Sequence, residues 1–199
     1  MGRKSIFIEH VESTAKRFFE RFSDDLPVIL PALLQAEDHR GYLHRGIDYL
    51  SIARALWKWP AIGKLYGIST IEQQLARTVF PRQGNLLLNK AHEMLLSIQV
   101  ARELPKTYIW ASYLEQAHYG TGLRSYAAVR NIFVGDSKPL SLAEAASIVA
   151  CLKYPRPSVP TMVWERKHQR RREYVLSRLS TAMGDNAIYQ SERAPATAR

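Results

Sequence analysis

Two carboxylates separated by a polar, cationic stretch are the groups of this chain best suited to chemistry. Glu37 lies in Ala36–Asp48 (AEDHRGYLHRGID) and Glu93 in Asn89–Glu93 (NKAHE). Between them, Gly67–Arg77 (GISTIEQQLAR) supplies Ser69, Thr70, Gln73, Gln74 and Arg77, and NKAHE adds Lys90. A base for an attacking hydroxyl, neutral donors for sugar oxygens and cations for a phosphate form one workable set. A departing pyrophosphate is already a stable anion, so it needs cations and hydrogen-bond donors more than a strong acid. A glycosidase has the opposite need, a protonated carboxyl beside an alkoxide, and no call for cations around its second acid. The cluster favours sugar transfer with phosphate departure.

Helices must position these groups, because the apolar residues recur at spacings of three and four. Phe7, Val11, Ala15, Phe18 and Phe22 mark a first amphipathic helix. Ser23-Asp24-Asp25 is expected to end it and cap a second, about Leu26–Ala36, with Pro27 in its first turn. That helix delivers Glu37 at its C-terminal end, where the helix dipole raises a carboxyl pKa. A further helix is expected from Asp48 to about Trp57. Ile71, Leu75 and Val79 form one stripe, which puts Gln74 and Arg77 on a polar side. On a helix from about Asn85 to Leu104, Leu87, Ala91, Met94 or Leu95, and Ile98 are the expected buried stripe. Lys90, Glu93 and Ser97 make its polar edge. Helices near Thr107–Ala117, Ser125–Phe133 and Ser141–Leu152 follow, the last opening on a capping box, SLAE. After Pro155, Pro157 and Pro160 a basic helix runs from about Met162 to Ala182. No segment alternates as a strand. The expected fold class is all-α.

The chain has 199 residues, enough for one domain with a real core. With 28 Lys and Arg against 18 Asp and Glu, its formal net charge of +10 points to an anionic partner. The single cysteine, Cys151, excludes an internal disulfide and any cysteine-based zinc cluster, and its apolar surroundings suit an inert thiol. No run reaches the ~18 apolar residues of a spanning helix, and charges throughout the first residues exclude a signal peptide. Arg166, Lys167, Arg170, Arg171, Arg172 and Arg178 go around their helix instead of forming one stripe, so nucleic acid is not an expected partner. Asp48–Tyr66 interleaves Trp57, Trp59 and Tyr66 with Lys58 and Lys64, which fits either a membrane interface or a small satellite core.

One order of motifs is specific: AED…H-x-G, G-x-ST-I-x-QQ-L-A-R, NK-x-x-E, YLEQAHYGTG and LSLAEAASIVACLKYPRP. It resembles the peptidoglycan glycosyltransferase domain, the penicillin-binding-protein transglycosylase family, over about residues 26–179. The resemblance implies a lysozyme-like helical fold and the monofunctional type. It implies polymerisation of lipid II into glycan strands with release of polyprenyl pyrophosphate. By position in the motifs, Glu37 would be the general base, and Glu93 the second carboxylate orienting Lys90 and the pyrophosphate. Ser69, Thr70, Gln73, Gln74, Arg77, Lys90 and Arg82 would bind substrate, and Asp38 and His44 would hold the loop. Tyr113, Gly120 and Gly122 are expected in packing and turns. No cofactor is required and no metal ligand is assigned, although a divalent cation (Mg or Mn) is compatible. The implied partners are lipid II, the growing strand, a membrane surface held peripherally and other cell-wall synthesis proteins. The implied location is the bacterial cell envelope, associated with the inner membrane. The expected organisation is an N-terminal amphipathic helix (1–25), the glycosyltransferase domain (26–183) and a polar, disordered tail (184–199).

Some positions depart from the family pattern. Gly41 stands for an aromatic, Glu72 for Thr, Thr78 for Asn, Asn89 for Arg and Glu115 for Asn. Losing a cation at 89 and gaining an anion at 72 predicts weaker pyrophosphate binding. The alternative is thus a catalytically weakened relative that binds lipid II or a cell-wall complex as a module.

Overall fold

The computed structural model describes residues 5–62, 68–81, 84–135 and 138–193. They form nine α-helices: α1 (Ile6–Phe22), α2 (Leu26–Glu37), α3 (Tyr49–Ile62), α4 (Ile71–Val79), α5 (Leu86–Glu103), α6 (Lys106–Gln116), α7 (Tyr126–Phe133), α8 (Leu142–Lys153) and α9 (Met162–Arg193). Among the described residues there is no strand, only isolated bridges from Gly120 to Leu123 and Arg156. The all-α expectation holds.

Burial follows the apolar spacing. Phe7, Ile8, Val11, Ala15 and Phe18 turn α1 onto α6, so the first helix shares the core of the rest of the domain. α8 is the most enclosed element, buried from Ala145 to Cys151, and it packs against α2 and α9. The small side chains on α8 permit that close approach, and Cys151 sits among them with its thiol pushed up to about 12 by burial. The capping box is present: Ser141 Oγ accepts from the Glu144 amide, and Glu144 accepts from the Ser141 amide.

Beyond α3, which runs to Ile62, five residues past the expected Trp57, three elements differ from the sequence reading. Asp25 does not cap α2 with its side chain. Its buried carboxylate instead accepts from Tyr126 Oη at 2.8 Å and Arg130 Nε at 2.7 Å, fastening α2 to α7. α9 continues through Arg193, eleven residues past the expected Ala182. The third difference is α5, which is turned the other way round. Leu86, Leu87, Leu88 and Leu95 are 67–79% exposed, whereas Glu93, Ser97 and Val100 face inward. Helical spacing located the two faces correctly. What it could not supply was that α4 offers α5 a polar neighbour, with Gln73 on the shared side.

Gly46 is where the loop after α2 lies directly on α5. Its φ is +91°, and a Cβ there would stand 2.3 Å from the Ser97 carbonyl oxygen. Gly46→Ala is therefore expected to destabilise by at least the roughly 1–3 kcal/mol of such backbone strain. Chemical denaturation would show it as a lower midpoint with an unchanged slope.

Candidate functional site

Glu37 is the last residue of α2, and four other elements converge on it. From α4, Gln74 Nε2 donates to its Oε2 at 3.2 Å, and Tyr113 Oη of α6 donates to Gln74 Oε1 at 2.7 Å. The buried phenol thereby fixes which way the amide points, and the amide fixes the carboxylate. From α9, Arg171 Nη2 approaches Glu37 Oε1 at 3.3 Å and also donates to the Ala36 carbonyl. Lys153, at the end of α8, adds its field. Burial raises the Glu37 pKa above the ordinary carboxylate range, with Arg171 and Gln74 pulling back. The direction is the one expected from the helix end, but desolvation is its main cause. The Tyr113 phenol is held far above its usual range, by burial first and by the Glu37 charge next, so it stays a donor.

Glu37 lines a cavity of about 470 Å³ with His39, Asp48, Ser51, Lys153 and Arg171 among its walls. Glu93 lines a different one, about 290 Å³, with Phe80, Asn89 and His92. The two acids are linked through α4. Lys90 Nζ lies 3.5 Å from Glu93 Oε2 and donates to Gln73 Oε1 at 2.8 Å, with Ser69 Oγ at 3.5 Å. Adjacent glutamines thus serve opposite ends of the site, Gln73 the ammonium and Gln74 the base. Arg77 is half-buried near Tyr113, close enough for its charge to act on the phenol. Arg82 lies outside the described residues.

Thr70, by contrast, has a scaffolding place. Its hydroxyl caps α4 by accepting from Gln73 N and donates to the Gly46 carbonyl at 2.7 Å, leaving it 2% exposed. Asp38 and His44 do the same for the loop. His44 Nε2 meets both Asp38 oxygens at 3.0 and 3.1 Å, while Asp38 Oδ2 accepts from Ile71 N at 3.2 Å. That triangle ties the end of α2 to the start of α4.

Sequence reasoning missed Arg171, Lys153 and Lys106. For Arg171 a signal existed: His168, Val175 and Leu179 are buried on α9, and Arg171 falls on that face. Lys106 explains one departure. Glu72 does not reach the cleft; its side chain is 0% exposed and Lys106 Nζ contacts its Oε1. Glu115 is also turned away, with Arg21 at 3.9 Å. Gly41 has its own reason, since a Cβ there would come 2.7 Å from Leu34 Cδ2 and 3.2 Å from the Trp110 ring. The neighbouring Tyr42 packs edge-on to that ring at 4.8 Å.

Asp38, His44 and Glu72 have ligand-type atoms within 4.8 Å of one another, the metal-like grouping found among the described residues. The Lys106 ammonium already sits on Glu72, so a divalent ion would meet a like charge there. Glu93 is not a member of the group.

A helical domain that ends a buried helix on a carboxylate, with cations brought in from neighbouring helices, is of the lysozyme-like class. The family model for transglycosylases matches residues 5–180, and the chain belongs to that family. It is 35% identical over 149 residues to the biosynthetic peptidoglycan transglycosylase of Shewanella denitrificans, covering 74% of this chain and 65% of that protein. It is 32% identical to penicillin-binding protein 1F of Bacillus subtilis over 75% of this chain and 21% of the relative. With penicillin-binding protein 1A of Haemophilus influenzae the figures are 35%, 76% and 18%. The chain therefore spans about a fifth of the penicillin-binding proteins it matches, and just under two thirds of the shorter relative.

Proposed function

We propose that this chain is a peptidoglycan glycosyltransferase that extends a glycan strand from lipid II and releases polyprenyl pyrophosphate. The observation that carries this reading is the half-buried Glu37, set by Gln74 and Arg171 at a cavity, with an acid-ammonium pair one helix away. In the step, a sugar hydroxyl of one substrate attacks the anomeric carbon of the other, and Glu37 takes the hydroxyl proton. The bond from that carbon to the phosphate oxygen breaks, and its electron pair leaves with the pyrophosphate. A base whose pKa is raised by burial accepts that proton more readily than an exposed carboxylate. A carboxylate oxygen that accepts one hydrogen bond keeps a second lone pair. Lys90 and Arg77, with Ser69 and Gln73 beside Lys90, would receive the charge on the leaving group. Glu93 keeps Lys90 from folding back, a positioning role.

The outward leucines of α5 support a peripheral membrane contact. Leu86, Leu87, Leu88 and Leu95 are joined as exposed apolar groups by Tyr49, Leu50, Leu56 and Trp57 of α3. Exposed apolar side chains on each of these helices suit surfaces that enter the headgroup boundary. Among the described residues no helix is long and apolar enough to cross a membrane. Lys58 and Trp59 of the expected interface have side chains outside the described set, as do Lys64, Leu65 and Tyr66 entirely.

Strand formation from lipid II, followed by separation of the products by length, tests the reading; no strands in either detergent or vesicles would defeat it. Leu87→Asp combined with Leu88→Asp is expected to cut activity on vesicle-borne lipid II at least about tenfold. In detergent the same variant should stay within about threefold of the parent. Equal losses in both media would remove the membrane role.

A further inference from the structure

We propose that Arg171 is the positioning residue for Glu37, holding the side chain and the helix end that carries it as one unit. The inference rests on the function proposed above and adds a residue that the motif positions did not assign. Three observations carry it. Arg171 Nη2 reaches two acceptors at once, the Ala36 carbonyl and Glu37 Oε1, so one nitrogen clamps both backbone and carboxylate. The guanidinium is itself held, with its central carbon 5.1 Å from the centre of the Tyr174 ring. Its Nε is buried without a hydrogen-bond partner, a desolvation cost that a surface arginine would relieve by swinging outward. Of the other basic residues of α9, Arg166, Lys167, Arg170 and Arg178 are exposed, and Arg172 is half-buried with its Nε on the Ala143 carbonyl, away from Glu37.

The clamp has a chemical consequence. Glu37 must be ionised to act as a base, and burial works against ionisation. The groups facing it are Arg171 with Tyr174 from α9, Lys153 from α8, Gln74 and the nearby Arg77 from α4, and Tyr113 from α6. Asp38 and His39 follow it in the chain and share its cavity. Arg171 is the cation in direct contact, and its charge is the strongest influence opposing burial. Removing it should leave the carboxyl protonated over a wider acid range, and should also free the orientation that Gln74 sets alone.

The experiment compares the parent chain with Arg171→Gln and Arg171→Lys by two readouts. One is titration of the Glu37 carboxyl carbon by NMR, its signal assigned by loss in Glu37→Gln; this needs no turnover. The other is the pH dependence of kcat/KM for strand formation from lipid II. In Arg171→Gln the titration midpoint is expected at higher pH. Its activity relative to the parent should fall about threefold or more from the plateau to the acidic limb. Arg171→Lys should return the acidic limb towards the parent while kcat stays low, because an ammonium restores charge but not the fork. A midpoint and limb unmoved in Arg171→Gln would overturn the proposal, even if kcat fell. A parent chain without turnover would instead defeat the proposed function, and the titration would still decide the clamp. Should Arg171→Gln fail to fold, Arg171→Lys decides: an unchanged kcat in that variant would overturn the positioning role.

Discussion

Glu37→Gln is expected to lower the rate of strand formation by about 10²–10⁴, the contribution of a positioned general base. The substitution is nearly isosteric, so the cavity and the Arg171 contact to the Ala36 carbonyl are retained. What disappears is the group that takes the proton from the attacking hydroxyl. Lipid II affinity should stay within about threefold, since the step lost belongs to the transition state and not to substrate binding. Those two measurements together separate the two readings of the family resemblance. An enzyme loses turnover and keeps affinity. A module that only holds lipid II has no turnover to lose, and its affinity would be indifferent to Glu37. More than a tenth of parental activity in Glu37→Gln would assign the base to another residue. Among the other cavity-lining side chains, Asp48 is the poorer base, held below the ordinary carboxylate range chiefly by hydrogen bonds from Ser51 and by Arg40 against the opposing effect of burial.

Much of this arrangement could be read before the fold was known, and the failures have physical causes. Helix count and most helix ends follow from apolar spacing and caps; Asn85 caps α5 and Ser125 caps α7, as side-chain chemistry suggests. Periodicity names the faces of a helix but not which face is turned inward, and α5 shows the difference. Its leucines point out because the neighbouring α4 presents Gln73 and because Lys90 and Glu93 can satisfy one another inside. Asp25 was misread for a related reason. A local cap competes with a distant guanidinium and phenol, and no sequence window contains both Asp25 and Arg130. Arg171 was hidden among charged neighbours. Only its register with His168, Val175 and Leu179 marks it as inward, and charge counting ignores register. Thr70 lines the Glu37 cavity, and its hydroxyl also caps α4 and donates to the Gly46 carbonyl, a scaffolding use that motif position alone does not reveal.

Lys106→Met is expected to destabilise the fold by about 3–5 kcal/mol, the effect of stripping one partner from a buried ion pair. Glu72 is 0% exposed, and Lys106 Nζ is the partner on its Oε1, while Oε2 has no hydrogen bond at all. Among the described residues the nearby cations have other partners, although His44 Nδ1 is buried without one. His44 Nε2 is engaged by Asp38, and the Lys90 ammonium is directed to Gln73 and Glu93. For a chain of this size the loss corresponds to a melting temperature lower by roughly 10 °C. The reverse change should cost much less. In Glu72→Thr the remaining Lys106 is 19% exposed, so its flexible stem can carry the charge to water. The double variant Glu72→Leu with Lys106→Met removes both charges and fills similar volume, and should recover most of the Lys106→Met deficit. This asymmetry bears on the site. It would mean that the unusual acid at position 72 is a matter of core electrostatics, compensated within the protein, and not a charge set against the pyrophosphate. Activity of Glu72→Thr on lipid II should then stay within about threefold of the parent at temperatures well below melting. A many-fold gain in pyrophosphate-dependent binding on removing Glu72, with Lys106→Met melting like the parent, would reverse that conclusion. The acid would then belong to the cleft.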